Sequence, residues 1–428
     1  MDTSSATGDM APRPPRHSLV VLLLTVALFS AVSLLVLAPP RQLILPSQRY
    51  LVRPVSRALA SVPLPDAVRS HFERPNSLAV AVRSFSHYSH AQHQFITRKY
   101  TAYDRMPRRH KPIGDKLGWK TVLKRADDSV ELNTVVTDEL AAIGLEQAKR
   151  EGVLVGLRSH LYKENGRVVE TLKHFVRDWA DEGKAERDAL FPPILQALDA
   201  EYSDKAGRRI LVPGCGLGRL AYEIASQGFS VDANDYSHYM NLGAQLIFNR
   251  THSANQHMLA PWLHGFSHQR TPQELLRRVT FPDVKPEMDK VDLKLTPGNF
   301  LEIGRKSEAY DAIVTLFFID TAQNMLAYFE TILFALKPGG IWINEGPLLY
   351  WGNPTMELPL EYVIRAAEAL GFQIERRKAL KGVEYTADGS AMYSFAYDCE
   401  FWVARKPLAA ETAAGNVVAA SVEARKEL

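Results

Sequence analysis

Three regimes of hydrophobic patterning divide the chain. Residues 18–38 are uncharged and dominated by Leu, Val and Ala, a run long enough at helical rise to cross about 30 Å of hydrocarbon. Pro39 and Pro40 end it. From about residue 71 to 184, apolar positions return at intervals of three and four, as in DELAAIGLE (138–146) and VVETLKHFV (168–176). That period predicts amphipathic helices. Beyond Lys205, short apolar runs alternate with helical stretches, the signature of a doubly wound α/β sheet. Residues 209–212, 230–234, 312–318, 341–344, 372–376 and 400–404 predict its strands. Lys337-Pro338-Gly339-Gly340 reads as a turn at a helix end, launching the strand at Ile341. Residues 252–292, with several His and Pro, break the alternation and predict a long insertion, a kind of segment that is often functional or mobile. The expected organisation is a tail (1–17), a transmembrane helix (18–38), a linker (39–70), a helical module (71–204), an α/β domain (205–407) and an Ala-rich frayed tail (408–428).

Composition narrows the partners. A formal net charge of +3 is nearly balanced, so no polyanionic partner is demanded and nucleic-acid binding is not predicted. The two cysteines, Cys215 and Cys399, lie far apart in apolar surroundings, which argues against a disulfide and for a reducing compartment. Cys215 reads as small-residue packing under a cofactor rather than as a nucleophile. A cleavable signal peptide is the rival reading of 18–38, but the run is long for one and proline would follow the cut. An uncleaved anchor is preferred. Arg41, Arg49, Arg53 and Arg57 follow it with no acid before Asp66, whereas Arg13 and Arg16 precede it alongside Asp2 and Asp9; the basic count puts the downstream side in the cytosol. The terminal Arg425-Lys426-Glu427-Leu428 lacks the aspartate of an ER-retention signal and is discounted.

The chemistry concentrates at Arg209-Ile210-Leu211-Val212-Pro213-Gly214-Cys215-Gly216-Leu217-Gly218, an apolar run breaking into closely spaced glycines. A strand feeding a tight turn brings backbone close to a nucleotide. The spacing is G-x-G-x-G, whereas dinucleotide folds use G-x-G-x-x-G with pyrophosphate on the following helix. This favours S-adenosylmethionine, which has no phosphate. A second apolar run ends in Asp235, about 20 residues beyond the first glycine, where a ribose-binding acid is required. His87, His90 and His93 recur at three-residue intervals without an accompanying carboxylate or cysteine in sequence, and read as a solvated helix face rather than a metal site. His257, His264 and His268 read as a polar loop. No metal is expected.

Four separated motifs resemble the carnosine N-methyltransferase family of class I methyltransferases. They are FVRDW (175–179) with GKAERD (183–188), LVPG (211–214), FFIDTA (317–322), and KPGGIWIN (337–344) with GPLLY (346–350). The resemblance spans about 171–407 and implies a Rossmann-like seven-stranded sheet, to which the chain adds the helical module and the membrane helix. It implies S-adenosylmethionine held by His174, Arg177, Gly214, Gly216, Asp235, Asn299, Phe300 and Ala312. It also implies that Asp320 lies beside the accepting imidazole, with Trp351, Phe395 and Tyr397 around the substrate. His174 stands where the family usually has glutamine, Asn299 where it has aspartate, Trp351 where it has histidine and Phe395 where it has tyrosine. Tryptophan and phenylalanine offer stacking area but fewer hydrogen bonds.

For Asp320 there is an independent physical case. Methyl transfer needs a neutral nitrogen lone pair in line with the sulfonium methyl, and a carboxylate on the other ring nitrogen holds the useful tautomer. Its bland alternative is a helix cap, since Asp-Thr-Ala-Gln precedes a helical stretch. The expected reaction is methylation of an imidazole nitrogen of carnosine or a similar small histidine-containing peptide. The rivals are a different imidazole substrate, a non-catalytic membrane adaptor that binds the cofactor without turnover, and a nicotinamide dehydrogenase disfavoured by the glycine spacing. The partners expected are the peptide substrate, a membrane through 18–38 and a homodimer.

Overall fold

The structure, a computed structural model, describes residues 77–156, 163–303 and 307–408. The expected tail, anchor and linker of 1–70, and the terminal tail beyond 408, lie outside the described residues. Among the described residues no helix is long and apolar enough to cross a membrane.

Seven strands form one sheet: β1 (Arg209–Pro213), β2 (Ser230–Asp235), β5 (Asp292–Pro297), β6 (Tyr310–Leu316), β7 (Leu336–Gly346), β8 (Gln373–Glu384) and β9 (Ala396–Arg405). Their order is β5-β2-β1-β6-β7-β9-β8. The pairs from β5 to β7 are parallel, and β9 runs antiparallel between β7 and β8. This is the expected doubly wound α/β sheet. Its central strands are continuous apolar runs, as burial on both faces requires. The strand order reverses between β1 and β6, and the carboxyl ends on either side of that reversal form the crevice where such sheets bind ligands.

Three expectations change in detail. The strand at 292–297 was not anticipated: its Asp292-Leu293-Lys294-Leu295 alternates and it is an edge strand, with only half its side chains facing the core. The 337–340 segment does follow a helix end, that of Met325–Ala335, but it is not a simple turn. It lies inside β7 as a bulge, where the register jumps from Tyr310–Leu336 to Ala312–Ile341 and Gly339 takes a φ of 78°. The 252–292 insertion is not a loose loop. It carries the antiparallel pair β3 (His257–Leu259) and β4 (Val279–Phe281) and buries Leu259, Trp262, Leu263, Leu275 and Phe281 against the helices.

The helical module is built on Trp119–Glu151, whose buried stripe Leu123, Ala126, Val130, Asn133, Thr137, Leu140 and Gly144 repeats every three or four residues. Helix Leu78–Ser86 crosses it where Gly144 leaves room; a Cβ there would stand 2.4 Å from Val82. The insertion is pinned to this module by a buried chain of polar contacts. Asn133 exchanges hydrogen bonds with the backbone of Ala260 and donates to the Tyr88 hydroxyl, which in turn meets His264 at 2.8 Å. His257 and His264 are therefore not members of a polar loop. Burial holds both at a pKa of about 4, so they are neutral packing groups.

Asp283, from the same insertion, ties the module to the sheet. It accepts from Arg187 on helix Lys184–Glu201 and from Arg219 on helix Arg219–Ser226, all three groups being buried. Removing one partner of a buried ion network strands the remaining charges. Asp283→Ala is expected to destabilise the fold by about 3–5 kcal/mol, measured by chemical denaturation; a loss under 1 kcal/mol would show that the clamp is dispensable.

Candidate active site

The glycine turn after β1 has positive φ at Gly214, Gly216 and Gly218 (66°, 57° and 81°), a path only glycine follows without strain. Two buried carboxylates hold it from opposite sides. Asp235, at the end of β2, accepts from Gly216 N at 2.9 Å and from Ser237 N at 2.8 Å. Asp178, in the last turn of helix Asn165–Trp179, accepts from Leu217 N at 3.3 Å, and the neighbouring Trp179 indole donates to Leu217 O. With loop amides facing carboxylates, the turn is dressed for a cationic or neutral ligand rather than a phosphate.

Burial raises the pKa of Asp235 to about 6 despite its two backbone donors. Asp178 is equally buried, yet the Arg177 charge and His174 outweigh desolvation and hold it below the usual carboxylate range. Arg177 is gripped by Glu186 through Nε and by Asp178 through Nη1 at 3.0 Å, and its guanidinium lies 4.8 Å from the Tyr385 ring centre. Its charge is fixed. His174, one turn earlier, has its Nδ1 3.7 Å from Asp178, too long for a hydrogen bond, and this buried nitrogen has no hydrogen-bond partner among the described residues. Cys215 is held firmly as a thiol, because burial and then the Asp235 and Asp178 charges push its pKa well up. A nucleophilic role needs the opposite.

Two cavities meet at Gly214. The smaller, of about 70 Å³, is walled by His174, Arg177, Gly216, Leu316, Phe317 and Tyr385. The wider, of about 410 Å³, is lined by Asn234, Asn299, Phe300, Phe318, Thr321 and Tyr328. In the wider one, Phe318 stacks on Tyr328 with centroids 4.9 Å apart and Phe300 stands edge-on to both, a flat apolar wall suited to a heteroaromatic base. Asn299 spends one lone pair of its amide oxygen on Leu301 N, at 3.1 Å, and keeps the other. These residues fit S-adenosylmethionine: a charged, hydrogen-bonding end for the amino acid, an unpartnered buried nitrogen at His174, an acid at the ribose position and an aromatic slot for the base.

Asp320 follows the junction. It sits in the short 3-10 turn Ile319–Thr321, beyond β6, and accepts from Leu349 N at 2.8 Å. The helix-cap alternative fails: the following helix, Met325–Ala335, is capped by Asn324, whose side chain accepts from Leu326 N. Burial lifts Asp320 to about 6. Just before it, Phe317 takes a φ of 51°, a strained value for an aromatic residue, and Phe317 N donates to Glu345 O. Gly346 admits that turn, since a Cβ there would lie 3.0 Å from Phe317 N.

The structure therefore brings His174, Arg177, Gly214, Gly216, Asp235, Asn299, Phe300 and Asp320 together. Tyr397 joins them, its ring 5.8 Å from Phe317, with Phe395 edge-on to it at 5.1 Å and half exposed. Ala312 is not brought in: it is fully buried at mid-β6, paired with Ile210 and Ile341, and lines neither cavity. Trp351 is 75% exposed and also lines neither. Asp178, Glu186, Phe317 and Tyr385 were not anticipated as site residues. The first two stand in the FVRDW and GKAERD motifs, where acids beside a buried-helix arginine were the available signal; Tyr385 carried none, arriving from a distant hairpin. His93 does meet carboxylates in space, Asp127 at 2.6 Å and Glu131 at 3.2 Å, although among the described residues no group of three or more metal-ligating side chains is placed to hold an ion.

Gly214 carries the junction, and a Cβ there would meet the Phe318 ring at 2.5 Å while forcing an L-residue to positive φ. Gly214→Ala is expected to weaken binding of S-adenosylhomocysteine at least tenfold, with a stability loss of about 1–3 kcal/mol. Calorimetric titration checks it; unchanged affinity would remove Gly214 from the ligand path.

Comparison with known proteins matches this architecture to one family. The family profile described as carnosine N-methyltransferase covers residues 159–408. A protein of that name from Mus musculus is 32% identical over 352 residues, covering 79% of this chain and 86% of its own length. One from Rattus norvegicus is 40% identical over 55% of this chain and 62% of its own length, and one from Schizosaccharomyces pombe is 29% identical over 78% and 96%. With more than half of the chain inside the family profile, and a relative of over 30% identity spanning most of its length, the chain belongs to the carnosine N-methyltransferase family.

Proposed function

We propose that this chain is an enzyme that methylates an imidazole ring nitrogen of carnosine or a closely similar histidine-containing compound. S-adenosylmethionine supplies the methyl group as an electrophilic sulfonium carbon. The observation that carries the reading is Asp320, a buried carboxylate oriented by Leu349 N and flanked in sequence by Phe318 and Thr321, which line the wider cavity, with the Tyr397 ring packed on Phe317 of the smaller one.

In the proposed arrangement Arg177 and His174 hold the amino-acid end of the donor, Asp235 the ribose hydroxyls, and Asn299 with Phe300 and Phe318 the adenine. Asp320 accepts the N–H of the acceptor ring, which leaves the lone pair on the opposite nitrogen facing the methyl carbon. As the new N–C bond forms, the methyl–sulfur bond breaks with its electron pair left on a neutral thioether, and Asp320 lies against the positive charge that passes to the ring and stabilises it without solvent reorganisation. Tyr385, stacked over Arg177 and tilted on Phe317 at 4.9 Å, excludes water from the charged end. No proton has to leave before transfer, because the neutral ring is already nucleophilic.

Asp320 and the acceptor ring must be deprotonated for this step, and Asp235, which holds the donor, titrates in the same window. Below about pH 6 Asp320 takes a proton, and the acceptor ring, with an ordinary imidazole value near 6.5, becomes a cation without a lone pair. Activity is expected to rise with pH through 6 to 7, with an acid limb steeper than one proton. Asp320→Asn should lower kcat by about 100-fold or more, leave S-adenosylhomocysteine affinity within a few-fold, and take one proton out of the acid limb. Unchanged turnover in that variant would remove Asp320 from the mechanism.

We also propose that residues 18–38 anchor the chain in a membrane, with the 205–407 domain in the cytosol. Support comes from the uncharged length of that run and the arginines that follow it. The full chain is expected to enter the detergent-rich phase on phase separation, and a chain lacking residues 1–45 to stay in the aqueous phase; identical partitioning would refute the anchor.

A further inference from the structure

Glu345 in β7 pairs with Leu316 of β6 on one side and with Phe401 of β9 on the other. Partners across a ladder project from one face of the sheet. Its side chain therefore shares a face with Leu316, a wall of the smaller cavity, with Phe401, and with Lys378, which Phe401 pairs in β8. The position is fully buried (0% exposed), and neither Oε1 nor Oε2 has a hydrogen-bond partner among the described residues. Ile343, two residues earlier on the same face, and Val403 beside it form an apolar row in which a leucine would pack without penalty. A carboxyl with both oxygens unpaired in such a row is uncommon in folded proteins, and it marks a group kept for something other than packing.

The backbone links this acid to the site. Phe317 N, at the strained turn, donates to Glu345 O at 2.9 Å, and the Phe317 ring forms the next wall of the same cavity. We infer that Glu345 receives a primary ammonium group of a bound substrate, beside the Leu316–Phe317 wall. Burial pushes its carboxyl up to about 8, against a weaker pull from Lys378, so the acid is largely neutral near pH 7 until a cation arrives beside it. Both substrates of the proposed reaction carry such a group, the α-ammonium of the donor and the terminal amine of β-alanyl-histidine, and the inference rests on that reaction only for the identity of the second.

The full chain, Glu345→Gln and Glu345→Leu separate the sources by calorimetry. One arm titrates S-adenosylhomocysteine; the other, with that ligand saturating, titrates β-alanyl-histidine and its N-acetylated form. At least a tenfold rise in the dissociation constant is expected in both variants for one amine-bearing ligand, with no change for the N-acetylated compound. A shift in the first arm assigns the donor's ammonium, a shift in the second the acceptor's. Glu345→Leu is also expected to melt at a higher temperature than the natural chain, the reverse of what loss of a structural carboxyl would give. Dissociation constants within twofold of the natural chain in both arms, or no measurable affinity of the natural chain for either ligand, overturn the inference. A natural chain that binds both ligands with the expected amine dependence and transfers no methyl group refutes the proposed reaction instead.

Discussion

The arrangement of this site depends on a backbone turn suspended between two buried carboxylates. Gly216 N points at Asp235 and Leu217 N at Asp178, so the loop after β1 is fixed from the sheet on one side and from the helical module on the other. A buried amide without a partner is costly, and a buried carboxylate is costlier still. Each relieves the other here. Asp178 in turn is kept ionised by Arg177, Arg177 by Glu186, and the helix carrying Glu186 also carries Arg187, which reaches Asp283 in the insertion. The methionine-side cavity is thus one end of a charge chain that runs through three segments far apart in sequence.

This explains how much of the site was legible in the sequence. Gly214, Gly216 and Asp235 sit on a strand–turn–strand unit whose spacing is set by local geometry, and periodicity with turn chemistry places them. Asp320 obeys the same logic at the end of β6, and the structure removes its competing role because Asn324 caps the next helix. Tyr385 was invisible: it reaches Arg177 from the β8–β9 hairpin, a pairing set by tertiary packing rather than by any local pattern. Ala312 is the contrasting case. It lies two residues past Tyr310 in β6, paired with Ile210 and Ile341, and a motif-level resemblance does not reveal that a central strand buries its middle and offers a ligand only its carboxyl end.

The sheet was equally legible except at its margins. Continuous apolar runs identified the central strands, because parallel strands covered on both faces have no other composition. The edge strand β5 alternates, and Lys294 between Leu293 and Leu295 reads as loop without its neighbour β2. The insertion failed for a related reason: His257 and His264 are polar in isolation, yet Thr251 and Tyr88 satisfy them inside the core. Polarity in a sequence is a property of side chains, whereas burial is a property of the partners they find.

Strain gathers where the two cavities meet. Phe317 holds a left-handed conformation, Gly346 gives it room, and Glu345, between them in the ladder, keeps an unpaired carboxyl out of water. Each of these lowers stability on its own, and all three occupy the carboxyl ends of two adjacent strands. Between Ala312 and Leu316 the β6–β7 ladder keeps one register, and its other irregularity is the bulge at 337–340 toward the opposite end. Strained backbone and an unpaired buried acid gathered at the carboxyl ends of adjacent strands are the kind of misfit that collects at ligand sites. On that ground the Phe317–Glu345–Gly346 corner belongs to the ligand side of the molecule, together with Asp320 three residues beyond Phe317.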